Sequence, residues 1–210
     1  AQLEALGVTG VTADNLKAVQ AALLTAPSIG SSSALASVVS GAVTAFNSAS
    51  TAVAEFAEDN GAAKPAPTAA NYTDMGVSGI GGAGQPTVAQ INSALATASV
   101  TGEKANTAAE VQAIVDGFKA IVSNADGTAN NNATNPTQLQ YEAIGVTGID
   151  SEAELGLLGD VIDAKPATAV GTTAQVQALA DAVQAVQAGT ATVAQLEALG
   201  VTGVTADNLK

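Results

Sequence analysis

The sequence predicts an all-α chain built as a tandem array: three small three-helix bundle units and the start of a fourth. Three observations carry this. A glycine-centred phrase recurs at long intervals, a helix-capping pattern precedes each internal recurrence, and the apolar residues between recurrences fall three and four apart. Residues 1–17 read AQLEALGVTGVTADNLK, and residues 194–210 read the same, letter for letter. Looser versions stand between them, NYTDMGVSGI at 71–80 and QYEAIGVTGI at 140–149. Gly7 lies 69 residues before Gly76, Gly76 lies 69 before Gly145, and Gly145 lies 55 before Gly200. The spacing divides the chain into residues 1–66, with its first helix truncated, 67–135, 136–189, and 190–210 as the start of the next repeat. Both ends cut through a unit, so the chain reads as an excerpt of a longer array.

The first helix of each unit is short and opens on a capping box. Thr68 with Asn71, Thr137 with Gln140 and Thr192 with Gln195 place a hydroxyl and an amide three residues apart, each able to satisfy the other's backbone N–H. Apolar pairs follow three apart: Tyr72 and Met75, Tyr141 and Ile144, Leu196 and Leu199. Tyr72 and Tyr141 take the place of Leu3 and Leu196, which predicts packing residues and no binding pair. Gly7, Gly76, Gly145 and Gly200 then stand where a left-handed residue closes a helix, and Val8, Val77, Val146 and Val201 can fold back over the cap. The phrase therefore reads as a helix stop and a turn. A phosphate or dinucleotide loop would need a preceding strand, which is missing.

Second helices begin about five residues on. Thr12 and Asp150 are the expected N-caps, with Ser151 and Glu154 offering a capping box one residue later. Leu16, Val19 and Leu23 form an apolar stripe that Pro27 terminates; Val88, Ile91 and Leu95 repeat it after the inserted GGAGQP. Third helices are the most regular. Thr107 caps with Glu110 ahead of Val111, Ile114, Val115, Phe118, Ile121 and Val122; Thr172 and Gln175 precede Val176, Leu179, Val183 and Val186. In the first unit Leu35, Val39, Ala42, Phe46, Ala49, Val53 and Phe56 alternate four and three apart, a heptad seam on a helix of about 25 residues. The seam suits an intramolecular bundle better than an intermolecular coiled coil, because two of its positions are Ala. Polar connectors follow, GAAKPAPTAA from Gly61 and NADGTANNNATNPT from Asn124.

Composition narrows the function. The chain of 210 residues is 47% hydrophobic but only 2% aromatic, so its cores are thin and made of small side chains. Net charge is −13 and all six basic residues are scattered Lys, which excludes a nucleic-acid interface and disfavours anionic membrane surfaces. No apolar run approaches the roughly 18 residues of a membrane span. With no Cys and no His, the usual nucleophilic and zinc constellations are absent, and Cys-free composition suits an extracellular setting. Glu58-Asp59, Glu152/Glu154 and Asp160/Asp163 are paired carboxylates of the kind that face solvent or complement helix dipoles. The Asn124–Asn132 loop carries oxygen ligands but lacks the acids and closing Glu of a calcium hand, so a plain loop is expected there. The sequence thus assigns no catalytic, cofactor-binding or metal residue and no cofactor, and an enzyme is the least expected class.

Leu6-Gly7-Val8-Thr9, Ile144-Gly145-Val146-Thr147 and the stripe from Val176 to Val186 resemble the small three-helix modules strung along bacterial surface proteins, including the albumin-binding GA type. The acidic, aromatic-poor units depart from that type, and albumin binding is not carried over. Long near-identical repeats rich in Ala, Thr, Gly and Val are similar to giant repetitive bacterial adhesins and surface-layer or fibre proteins. That resemblance implies an extracellular, cell-surface location and a structural repeat of a filament, stalk, sheath or surface layer. Its partners would be copies of itself or adjacent repeats of the same long chain. The alternative is an adhesin-type module whose helical face recognises a surface protein of another cell. Ice binding by flat Ala/Thr faces is weaker, since Thr sits at caps and not at an 11-residue spacing.

Overall fold

The computed structural model describes residues 6–129 and 134–209. Among them all regular secondary structure is helical. Among the described residues the nine α-helices are α1 (Leu16–Thr25), α2 (Ser32–Glu58), α3 (Ala69–Asp74), α4 (Val88–Leu95), α5 (Ala108–Asn124), α6 (Gln138–Ala143), α7 (Glu152–Asp163), α8 (Thr173–Gln187) and α9 (Val193–Ala198). Short 3-10 turns cover Gly102–Lys104 and Ala167–Val170. Residues 1–5, which include Leu3, and residues 130–133, the far part of the Asn124–Asn132 loop, lie outside the described residues.

Local sequence sets the helix ends. Reciprocal capping boxes open α3 (Thr68/Asn71), α6 (Thr137/Gln140) and α9 (Thr192/Gln195), and Thr107/Glu110 opens α5. A further box, Thr87/Gln90, opens α4; it follows Pro86 directly, and the inserted glycines hide it in the sequence. Two N-cap expectations are corrected. α1 begins at Leu16 with Asn15 as its cap residue, and Asn15 makes no capping bond to the helix. Thr12 instead closes a preceding turn: its amide donates to Asn15 Oδ1 at 2.8 Å, and the Asn15 amide donates to Thr12 Oγ1 at 3.3 Å. For α7 the cap is Ser151 and not Asp150, because only Ser151 has a side chain placed to accept from Glu154 N.

Burial follows the helical period with a few exceptions. Val39, Phe46, Ala49, Val53 and Phe56 of the α2 seam are buried within the chain, while Leu35 and Ala42 are half-buried. Leu16 leaves the expected stripe of α1 and is exposed, since the buried face runs instead through Ala18 and Val19. Val122 and Val186, at the ends of their stripes, are half-buried.

The core is not divided at the sequence repeats. One cluster runs from Ala18 through Phe46, Met75, Phe118 and Ile144 to Val183, and a smaller one joins Val8, Val19 and Val39. The continuity has a direct cause. Each long helix packs on the short helix that follows it in the next repeat: α2 on α3, α5 on α6, α8 on α9. α4 also reaches α8, and α5 reaches α7.

Candidate functional site

The recurring phrase builds the same object each time. Met75 caps α3, Gly76 N donates to the Thr73 carbonyl at 2.9 Å, and Val77 N donates to the Tyr72 carbonyl at 2.9 Å. Gly145 and Val146 close α6 on Glu142 and Tyr141, and Gly200 and Val201 close α9 on Glu197 and Leu196, by the same pair of bonds. This is a Schellman stop, which requires a left-handed residue at its centre. Gly76 (φ 74°), Gly145 (φ 85°) and Gly200 (φ 89°) supply it, and the second glycine of each phrase is left-handed as well.

Two internal phrases are then clamped by a glutamine from the third helix of the same repeat. Gln112 of α5 accepts from Ser78 N at 3.0 Å and donates to the Ser78 carbonyl at 3.2 Å. Gln177 of α8 does the same to Thr147, at 2.9 and 3.1 Å. Each amide also donates to an aspartate one turn on, Gln112 to Asp116 at 3.0 Å and Gln177 to Asp181 at 2.7 Å, which fixes the orientation of the fork. A primary amide used this way imitates one rung of a β-ladder. Sequence reasoning missed these residues, although the matching strings EVQAIVD (110–116) and QVQALAD (175–181) carry the signal. In α2 the corresponding positions are Ser40 and Thr44, so the Gln–Asp pair is missing from the first repeat.

The opposite side of the two internal phrases meets the preceding repeat closely. A Cβ on Gly76 would stand 2.9 Å from Ala18 N, and one on Gly145 would stand 2.3 Å from Thr97 Oγ1. Gly117 lets α6 cross α5 closely, since a Cβ there would meet the Gln140 carbonyl oxygen at 2.6 Å. Thr173 completes the seam: its hydroxyl donates to the Ile144 carbonyl at 3.0 Å and its amide donates to Ser93 Oγ of α4 at 3.1 Å. Between the first and second repeats, Glu58 of α2 accepts from Gly102 N at 2.9 Å, and Ser50 donates to the Asn106 carbonyl. The phrase is therefore a seat held between two long helices.

Glu58, Asp59 and Glu154 of the carboxylate pairs serve as structural acceptors. Partial desolvation pushes the Asp59 carboxyl up, but the amides of Ala63, Lys64, Gly61 and Ala62 together outweigh it and hold the group below its usual range. Glu154 is held low by the Ser151 hydroxyl first, then by the amides of Ser151 and Asp150. Lys64, hydrogen-bonded to Glu55 at 2.6 Å, is held above its usual range by that bond and charge. Asp163 is buried, and its carbonyl accepts from Gly127 N at 3.2 Å. In the Asn124 loop, Asn124 Nδ2 donates to the Gly159 carbonyl of α7 at 2.9 Å, which ties the start of the loop to that helix, and Asp126 accepts from Thr128 N at 2.8 Å, which closes a turn within it. Among the described residues no group of three acidic, His or Cys side chains could hold a metal, and no helix is long and apolar enough to cross a membrane. Tyr72 and Tyr141 are core residues at 1% exposure; Tyr72 donates to Asn92 Oδ1. Burial pushes both phenols up.

Compared with known families, curated proteins and solved structures, the chain matches none.

Proposed function

We propose that this chain is a structural repeat of a long extracellular filament, stalk, sheath or surface layer, in which neighbouring helical units pack in series. The observation that supports the reading is the threefold recurrence of one junction: α2 with α3, α5 with α6, α8 with α9. In such an array stability is a sum of unit and interface terms. Thin Ala/Val units are marginal alone, and sharing burial across each junction offsets that weakness. The units of this reading are small three-helix bundles resembling bacterial surface modules. The partners are adjacent repeats or further copies of the same chain, and the surface charge of −13 keeps so repetitive a polymer soluble.

An adhesin-type face would need the same exposed apolar patch in every unit. Leu139 is 76% exposed on α6, but Ala70 and Ala194 occupy its position in the neighbouring repeats. Serial packing is the better supported role.

The test joins one, two and three copies of the 193-residue period that separates Gly7 from Gly200. Small-angle scattering should show the maximum dimension growing in proportion to copy number, and the urea midpoint should rise from one copy to two. Copies that tumble independently at an unchanged midpoint would refute the proposal.

A further inference from the structure

We infer that α7 is a yielding element, which opens and closes by itself while the helices round it stay folded. Two independent features of the third repeat carry this. The first is the phenol of Tyr141. In the second repeat the corresponding Tyr72 hydroxyl donates to Asn92 Oδ1, and Asn92 Nδ2 donates to the Pro67 carbonyl at 2.9 Å. The matching caps, Thr87 of α4 and Ser151 of α7, put Gly156 at the place of Asn92, each the fifth residue of its helix. Tyr141 is as buried as Tyr72, both at 1% exposure, but its hydroxyl has no hydrogen-bond partner among the described residues. A buried hydroxyl without a partner has given up its bonds to water and recovers them only when the structure opens.

The second feature is the composition of α7. Its 12 residues include two glycines, Gly156 and Gly159, more than any other helix among the described residues. Each interior glycine lowers the folding equilibrium of a helix about fivefold relative to alanine. Gly159 has a packing reason, since a Cβ there would stand 2.2 Å from Asn135 Cγ; Gly156 has none, with nothing within 4 Å. α7 packs chiefly on α8 and also meets α5, and it takes no part in the junctions of α2 with α3, α5 with α6 or α8 with α9. Local opening is expected of elements whose own stability falls below that of the whole chain, and opening α7 leaves the three junctions closed. In a serial array α7 then supplies slack. That use rests on the serial-packing reading, whereas the opening itself does not.

Native-state hydrogen exchange of the full chain, read residue by residue by NMR, tests this. Protection of amides 158–163 in α7 should be at least tenfold lower than that of amides 176–183 in α8. Gly156→Ala should raise α7 protection about fivefold. Gly41→Ala, which strengthens α2 in another repeat, should leave α7 protection unchanged. Tyr141→Phe removes the unpartnered hydroxyl and should also raise α7 protection, whereas Tyr72→Phe breaks a bond that is made and should not raise that of α4. Equal protection in α7 and α8 would overturn the proposal. So would an effect of Gly41→Ala on α7 equal to that of Gly156→Ala, because α7 would then open only with the whole chain. A Tyr141→Phe chain with no gain in α7 protection would overturn it too. The copy-number experiment decides the serial-packing reading separately.

Discussion

Gln112 Oε1 accepts from the Ser78 amide at 3.0 Å while its Nε2 donates to the Ser78 carbonyl at 3.2 Å, and Gln177 repeats the fork on Thr147. Removing either side chain leaves two backbone groups to water at an exposed edge. Each Gln→Ala variant should therefore lose about 1 kcal/mol, the net worth of ordinary hydrogen bonds, read from the urea midpoint. Gln112→Glu should be worse than Gln112→Ala, because a carboxylate cannot donate to the Ser78 carbonyl and would face Asp116. An unchanged midpoint in both alanine variants would remove the clamp from the account.

Glycines in helices should divide sharply by what surrounds them. Gly117→Ala forces a methyl to within 2.6 Å of the Gln140 carbonyl oxygen and 3.0 Å of Ile144 Cγ2. That overpacking should cost about 1–3 kcal/mol despite the better helix propensity of Ala. Gly41 of α2 and Gly156 of α7 have nothing within 4 Å of the same position. Their Ala variants should gain about 0.5–1 kcal/mol. Thermal unfolding of the three variants gives the ranking directly.

Acid should loosen α7 through Glu154. Its carboxyl is held below the ordinary 4.5 in the folded chain by Ser151 and Asp150, so its contribution to stability is present above the unfolded value. That contribution is lost as pH falls from about 4.5 through the folded value. Glu154→Gln keeps a capping-box side chain but cannot titrate. The stability difference between the two chains, measured in urea at stepped pH, should shrink as pH falls. A difference that stays constant would separate Glu154 from the acid transition.

The chain has two tyrosines, and burial raises both phenols above the ordinary 10.0. A raised folded value means stability that is complete below the unfolded value and lost as pH climbs past it. Phenolate absorbance should therefore stay flat through the pH range in which free tyrosine ionises, then appear together with loss of helical circular dichroism. Early ionisation of either ring in a helical chain would contradict its burial.

Local chemistry was legible in the sequence wherever the deciding partners lie within a few residues. Thr68 and Asn71, Thr137 and Gln140, and Thr192 and Gln195 cap the helices expected of them, and Gly76, Gly145 and Gly200 close those helices with φ above 70°. Apolar period 3.6 likewise placed Val111, Ile114 and Phe118 in the core. Each of these outcomes depends on bonds or faces that span a single turn.

What only the tertiary structure decided is where those turns are set down. Leu16 and Val19 sit on one predicted stripe, yet only Val19 is buried. Gln112 reaches Ser78 across 34 residues of chain, and α5 accepts α6 at Gly117 because the crossing leaves no room for a methyl. Val8 and Val201 give the sharpest case, since identical neighbours along the chain yield 3% and 44% exposure. A short sequence fixes the bonds within its own turn, but burial is conferred by whichever distant helix lies against it.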